Sequence, residues 1–435
     1  LKLKTFYTSI GKSLTSRYFS YAIQLTSTLI LARAFTPEIF GSVAALQVIY
    51  TFIQLLAEAG AGPAIINLKT LSPEDRDGIF TATIIMGLII SISTYSLGSS
   101  IESFYGINEL SKIVPYLAIS SLFYSACTYP TATLLKDQKY YRISLSTSAA
   151  EIASTTITIS IYKLNILSPI DALASKMLSS SIINFTALQL QSGQTRFGRA
   201  KLGKHIKAIK SIASFSGYQL GFNFINYFSR NLDNILVGKL LGASELGLYD
   251  KAYQLMRYPL QLITFAITPA IQPFLKENSK DPHLAKGIFQ DLSTKLLILG
   301  CAAGFFILTF SNQIVYILLG DQWSGASSLI RILALSIPAQ MVTAASGSFF
   351  QALSKPDHLF LSGSLSALIT VSAIAVGISS RNLETLCWCI SIAFNLNFYQ
   401  VIWILYKRCL LTSPSGIMIK FSLSLPLLLL VFNLT

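Results

Sequence analysis

At 435 residues, 52% hydrophobic and 12% charged, the chain carries about half the charged fraction of a soluble domain, which excludes an ordinary globular protein. A formal net charge of +14 would suit a nucleic-acid binder, but the cations lie dispersed between apolar runs, so nucleic acid is not expected as a partner. The five cysteines and three histidines have no ligand spacing, and no metal or cofactor is expected.

Apolar runs recur near 11–33, 41–66, 79–100, 113–135, 143–162 and 171–191, and again near 213–237, 246–275, 292–311, 325–353, 359–379 and 383–406. Each is long enough to span a bilayer, which takes roughly 20 residues as a helix. Lipid offers the backbone no hydrogen-bond partners, so the spans are expected to be helices. A thirteenth stretch, 417–434, ends the chain and leaves the helix total and C-terminal sidedness open. No cleavable signal peptide is expected, since the first apolar run is too long.

With the N-terminus inside, 20 of the 33 Lys and Arg fall in cytoplasmic segments and five (Arg33, Lys112, Lys163, Lys239, Arg381) in or beside outer loops. That asymmetry is the positive-inside bias, with attraction to anionic membrane lipids second.

The two groups of six spans repeat one another. Arg33–Gly41 joins the first pair and Lys239–Gly247 the seventh and eighth, each with a cation first and a hydrophobic-Gly pair last. Ser72-Pro73 before Gly78-Ile79-Phe80 matches Asp281-Pro282 before Gly287-Ile288-Phe289, and Leu117–Ser120 echoes Leu333–Ser336. An even number of spans per copy gives both copies one orientation, hence a parallel repeat. The expected organisation is an all-α integral membrane protein of about 12–14 transmembrane helices. It has a six-helix lobe over 1–193, a basic cytoplasmic linker over 194–212, a second lobe over 213–412 and a hydrophobic segment over 413–435.

Charges inside hydrocarbon are costly and face water or a partner. In the eighth span Asp250, Gln254, Arg257, Gln261, Thr264, Thr268 and Gln272 follow the helical period, and in the seventh Gln219, Asn223, Asn226, Arg230 and Asp233 do so. Shorter stripes run through the first span (Arg17, Tyr21, Gln24, Thr28) and the second (Gln47, Thr51, Gln54, Glu58). Either these are hydrogen-bonding seams or they line a wetted cavity. On the cavity reading the substrate-binding candidates are Arg17, Gln24, Glu58, Arg230, Asp233, Asp250, Lys251, Gln254, Arg257 and Gln261, with Lys176 and Arg331 as further cations. Asp233 stands three residues from Arg230 and could neutralise it. The fifth-span stripe (Ser144, Ser148, Glu151, Thr155, Thr158) reflects Ser/Thr abundance.

Gly198-Arg199-Ala200-Lys201-Leu202-Gly203-Lys204-His205 imitates a phosphate loop, but no strand precedes it, and an amphipathic basic linker on the inner leaflet is expected instead. With no soluble domain, coupling to an H+ or Na+ gradient is the default drive.

Arg33–Gly41, Glu58-Ala59-Gly60-Ala61-Gly62, Arg230-Asn231-Leu232-Asp233-Asn234 through Gly238, Gly242, Gly247 and Tyr249, and Gly320-Asp321-Gln322-Trp323 together resemble the polysaccharide flippases of the multidrug/oligosaccharidyl-lipid/polysaccharide superfamily, most nearly the Wzx-type O-antigen and colanic-acid exporters. The resemblance implies a two-lobed, MATE-like fold with alternating access, in the bacterial inner membrane. It implies no enzyme activity and no cofactor. The implied cargo is an undecaprenyl-diphosphate-linked oligosaccharide, moved to the periplasmic leaflet for lipopolysaccharide or exopolysaccharide synthesis. Polysaccharide polymerase machinery would be a partner. Two other readings stay open: an ion-coupled multidrug or metabolite exporter of the same superfamily, and a membrane glycosyltransferase or polymerase.

Overall fold

The computed structural model describes the backbone over 2–58, 62, 65–66, 72–204, 227–228, 230–277, 282–353 and 355–434; side chains are described over the same residues apart from 2–14, 56–58, 264–277 and 282–285. The described residues are overwhelmingly helical. In chain order the helices are α1 (Lys2–Ala34), α2 (Pro37–Glu58), α3 (Pro73–Ser96), α4 (Gly98–Tyr105), α5 (Leu110–Ala126), α6 (Thr128–Lys136), α7 (Tyr140–Lys163) and α8 (Pro169–Ser192). There follow α9 (230–240), α10 (Ala243–Glu277), α11 (Pro282–Leu318), α12 (Ala326–Ala334), α13 (Ile337–Ala352), α14 (Pro356–Ser379), α15 (Leu383–Ile404) and α16 (Ser415–Leu434). Every span expected from hydropathy coincides with one of these or with a pair of them, as far as the described residues reach.

The starts are written locally. Ser72-Pro73-Glu74-Asp75 and Ser168-Pro169-Ile170-Asp171 each place a serine cap, a proline in the first turn and an acid at the third position. The Ser72 hydroxyl accepts the Asp75 amide at 3.1 Å and Asn382 accepts that of Thr385 at 3.0 Å. A side-chain cap of this kind contributes about 1 kcal/mol.

Seven helices among the described residues are long and apolar enough to cross a membrane by length and composition, and α12 with α13, bent by 58°, adds an eighth. The helices α1, α7, α8 and α10 are also of spanning length, but Ser, Thr and charges lower their mean hydropathy. Meanwhile Ile89 and Ile92 on α3, Leu368 and Val376 on α14, and Leu423 and Leu427 on α16 stand exposed, as lipid-facing side chains do.

Two compact units divide at Gly247–Leu248, within α10. In unit one α7 packs on both α1 and α8, and α5 packs on α3 and α8. Its core includes Leu31, Phe35, Ala172 and Leu173, and separately Ile79, Phe80 and Tyr129. In unit two α11 packs on α12, α13 and α16, while α14 pairs with α15. Phe289 meets Phe349 edge-on at 4.7 Å there, and Phe398 lies 4.0 Å from Phe421.

One contact in unit one follows the sequence repeat. A Cβ built on Gly41 would stand 1.6 Å from the Ala243 carbonyl oxygen, and one on Gly247 would stand 2.0 Å from that of Pro37. Pro37 and Gly41 occupy the places in their connection that Ala243 and Gly247 occupy in theirs, so the contact is reciprocal. Each repeat copy offers a glycine to the other's first helical turn. Only a residue without a side chain permits backbones this close.

Over 194–204 the basic linker is a largely irregular strap bound to helix ends. Its amide hydrogens at Arg196, Lys201 and Gly203 are taken by Asp137, Asp77 and the Thr81 hydroxyl at 3.0, 2.9 and 2.8 Å. The carbonyls of Phe197 and Gly198 receive Arg76 and the Tyr129 hydroxyl, each at 3.2 Å. With its amides engaged this way, the glycine-bearing string cradles no phosphate. Residues 205–212 of the expected linker lie outside the described residues.

Candidate functional site

The polar stripes resolve into two kinds. On α1, Ser16, Ser20 and Ser27 face α7. The Ser144 hydroxyl donates to the Ser16 carbonyl at 2.6 Å, Ser20 reaches Ser148 at 3.2 Å, and Ser27 bonds Thr155. The fifth-span stripe is therefore a helix seam in fixed parallel register. Arg17 and Gln24 sit roughly a quarter-turn around α1 from that seam and are exposed.

Glu151 shares the seam face of α7, and its carboxylate accepts the Lys176 ammonium of α8 at 2.6 Å, with both side chains mostly buried. Lys176, offered by the sequence as a further cavity cation, is held by the neighbouring arm of a helical hairpin. Arg331 is similarly accounted for: its guanidinium donates to the Phe432 carbonyl at 2.9 Å and lies 5.0 Å over the Phe432 ring.

On α9 Arg230 is exposed, whereas Asp233 is buried and accepts the Asn234 amide at 2.9 Å. Beside it, Asn231 donates to the Tyr227 carbonyl at 2.9 Å. The second-span candidate Glu58 ends α2, and its side chain lies outside the described residues, as do Gln219, Asn223, Asn226, Thr264, Thr268 and Gln272.

The part of α10 in unit two brings several candidates together. The Lys251 ammonium, buried, donates to Asp250 at 3.0 Å and to the Gln254 amide oxygen at 3.2 Å. One and a half turns further on, the Arg257 guanidinium lies 5.8 Å from the centre of the Tyr253 ring, and its side chain is exposed. Gln261 is half-buried. Lys251 is thus neutralised and fixed. Arg257 has no carboxylate within salt-bridge distance among the described residues. A guanidinium held against a ring face keeps its fork of donors free for a planar or tetrahedral anion.

Sequence reading missed a second feature, an apolar cavity of about 280 Å³ in unit one, bounded by α2, α4, residues 227–228 and α9. No spacing pattern announces it, because it is made where four segments meet.

Comparison with known proteins places this architecture. The family model described as polysaccharide biosynthesis protein matches residues 30–328. The chain is 22% identical to the teichuronic acid biosynthesis protein TuaB of Bacillus subtilis over 360 residues, covering 81% of this chain and 72% of that one. It is 21% identical to the lipopolysaccharide biosynthesis protein WzxC of Escherichia coli, covering 81% and 71%. Among solved structures, the lipid II flippase MurJ in an inward closed conformation superposes with a TM-score of 0.77 at 15% identity, over 96% of this chain and 92% of that one. An inward-facing multidrug resistance MATE transporter gives 0.68 at 13%, over 92% and 95%. The fold is that of the MATE and MurJ transporters, with their array of membrane-spanning helices, and the chain is a multi-pass membrane protein that belongs to the polysaccharide biosynthesis protein family.

Proposed function

We propose that this chain is a flippase that carries an undecaprenyl-diphosphate-linked oligosaccharide from the cytoplasmic to the periplasmic leaflet by alternating access, with its N-terminus in the cytoplasm. The observation that carries the reading is Arg257. A guanidinium on a membrane-length helix, braced by Tyr253 and one and a half turns from the neutralised Lys251, is built to receive an anion. A diphosphate supplies that anion, and bidentate hydrogen bonding fits a guanidinium better than a point charge. The family membership supports a glycan as cargo, the names of TuaB and WzxC support surface-polymer synthesis, and the charge asymmetry of the loops supports the orientation. Arg17, exposed on α1, is a second cation for the same class of ligand.

The test is reconstituted flipping of a fluorescent lipid-linked oligosaccharide in proteoliposomes, with and without H+ and Na+ gradients. Arg257→Ala is expected to abolish flipping at normal membrane levels of protein, and Arg257→Lys to restore only part of it. Wild-type flipping by well-expressed Arg257→Ala would remove the headgroup role. A cationic drug transported in place of the lipid would favour the exporter reading instead.

A further inference from the structure

The cavity in unit one has a wall of rings and branched aliphatic side chains, among them Val48, Phe52, Ile101, Phe104, Tyr227 and Phe228. The one hydroxyl that would make its Tyr227 wall polar donates to the Val48 carbonyl, leaving the ring as the exposed part. Ser100 and Tyr105 also line it, but most of the wall is rings and aliphatic groups, so the interior offers chiefly dispersion contacts and favours the hydrocarbon part of a ligand.

The rim is different. Lys239, at the last turn of α9, holds its ammonium 4.1 Å from the centre of the Phe104 ring, and Phe104 itself lines the cavity. On α9 and the residues before it, Ile235 lies about one turn below Lys239 and Tyr227 about three, so the cavity descends from the cation along the helix. The nearest acid of α4, Glu102, already accepts the Ser111 amide at 2.7 Å, and the Ser111 side chain together with that amide holds its carboxyl below the usual carboxylate range. The cation is also unusual for its place. Only five of 33 basic residues fall in or beside the loops assigned to the outer face, so Lys239 stands against the bias that orients the chain.

We infer that this cavity is a binding site for a polyprenyl phosphate, with the phosphate on Lys239 and the first isoprene units of the tail against the ring-lined wall. A cation held against a ring that lines a mostly apolar pocket suits an anionic amphiphile. A wall of rings and branched aliphatic side chains is matched by a methyl-branched chain. The inference rests on the proposed cargo and orientation and adds to them: it gives the lipid a second place of binding, with its phosphate on Lys239 rather than on Arg257. The volume holds only the phosphate-proximal part of the tail, and the remainder lies in the bilayer.

The test uses the full chain in nanodiscs and a polyprenyl monophosphate with a diazirine on the isoprene unit next to the phosphate. Labelling is expected on peptides covering 97–105 and 227–239, and unlabelled polyprenyl phosphate should displace it. Polyprenol, which lacks the charge, and phosphatidylglycerol, which has the charge on straight chains, should not. Lys239→Gln should weaken labelling about tenfold, the worth of one charge-assisted hydrogen bond, and Lys239→Arg should retain it. Ile101→Trp, which fills the cavity, should abolish it; should that variant fail to fold, Val48→Phe serves the same purpose. Labelling spread evenly over the lipid-facing helices α14 and α16, or displaced equally by phosphatidylglycerol, would overturn the site in favour of bulk lipid. Wild-type labelling without any flipping would overturn the transport reading and leave the site standing, whereas flipping without labelling would do the reverse.

Discussion

Gly41→Ala tests the tightest contact made by any of the described glycines. The added Cβ would meet the Ala243 carbonyl oxygen at 1.6 Å, and real Cβ atoms essentially never come under 3.0 Å, so the two helix starts must part by at least the difference, 1.4 Å. Neither atom belongs to a flexible side chain that could turn aside. Overpacking of this kind costs about 1–3 kcal/mol. If the contact opens and closes as two states, that cost shifts the balance toward the open one by roughly 5–150-fold. The measurement is the distance between spin labels on cysteines introduced at the exposed positions Thr36 and Ser244, with the five native cysteines replaced. The wild type should give a short, narrow distribution, and Gly41→Ala a longer and broader one. Gly247→Ala should do the same, since its Cβ meets Pro37 in the mirror-related half of the contact. The double variant should add little, because each single change already breaks the one contact they share. An unchanged distribution in a well-folded Gly41→Ala protein would refute the reasoning.

The Glu151–Lys176 pair should be structural in the sense that half of it is worse than none. Lys176→Met alone leaves a carboxylate in the bundle and should lower the amount of folded protein, whereas Glu151→Met with Lys176→Met should recover it, as read by thermal unfolding in detergent. The strap should loosen when its acceptors go: Asp137→Asn with Asp77→Asn should speed limited proteolysis within 196–204 several-fold, while flipping measured on uncut protein reports whether the strap also serves transport. For sidedness, a protein retaining only Cys409 should react in intact cells with a permeant thiol reagent and resist an impermeant one, and a cysteine at Ser324 should react with both. Equal labelling of the two sites by the impermeant reagent would overturn the proposed orientation.

Hydropathy was enough to find the helices, since a bilayer demands a run of fixed length and the chain supplies one at each place the described residues cover. Periodicity was enough to assign faces but not partners. The stripe Ser144, Ser148, Thr155 was legible as a polar face, yet that it meets Ser16, Ser20 and Ser27 depends on which helix packs beside it. The same limit explains Lys176 and Arg331, which sequence position offered as cavity cations and packing gave to Glu151 and Phe432. A hint existed for the first of these, because Glu151 and Lys176 lie on the two arms of a tight hairpin. Arg331 bonds a carbonyl 101 residues away, which no local rule reaches. At the strap, composition marks a basic linker without showing that its backbone amides are claimed by Asp77, Asp137 and Thr81.

The reciprocal glycine contact has a bearing on how such a chain can change over time. Most residues of a duplicated segment are free to drift apart after the duplication, since each copy then has surroundings of its own. A residue that touches its own counterpart has no such freedom. Gly41 presses on the turn that begins at Ala243, and Gly247 on the turn that begins at Pro37, so a larger side chain in either copy collides with the other's main chain. Divergence there is barred in both places alike, because no change of one glycine makes room for a side chain at the other.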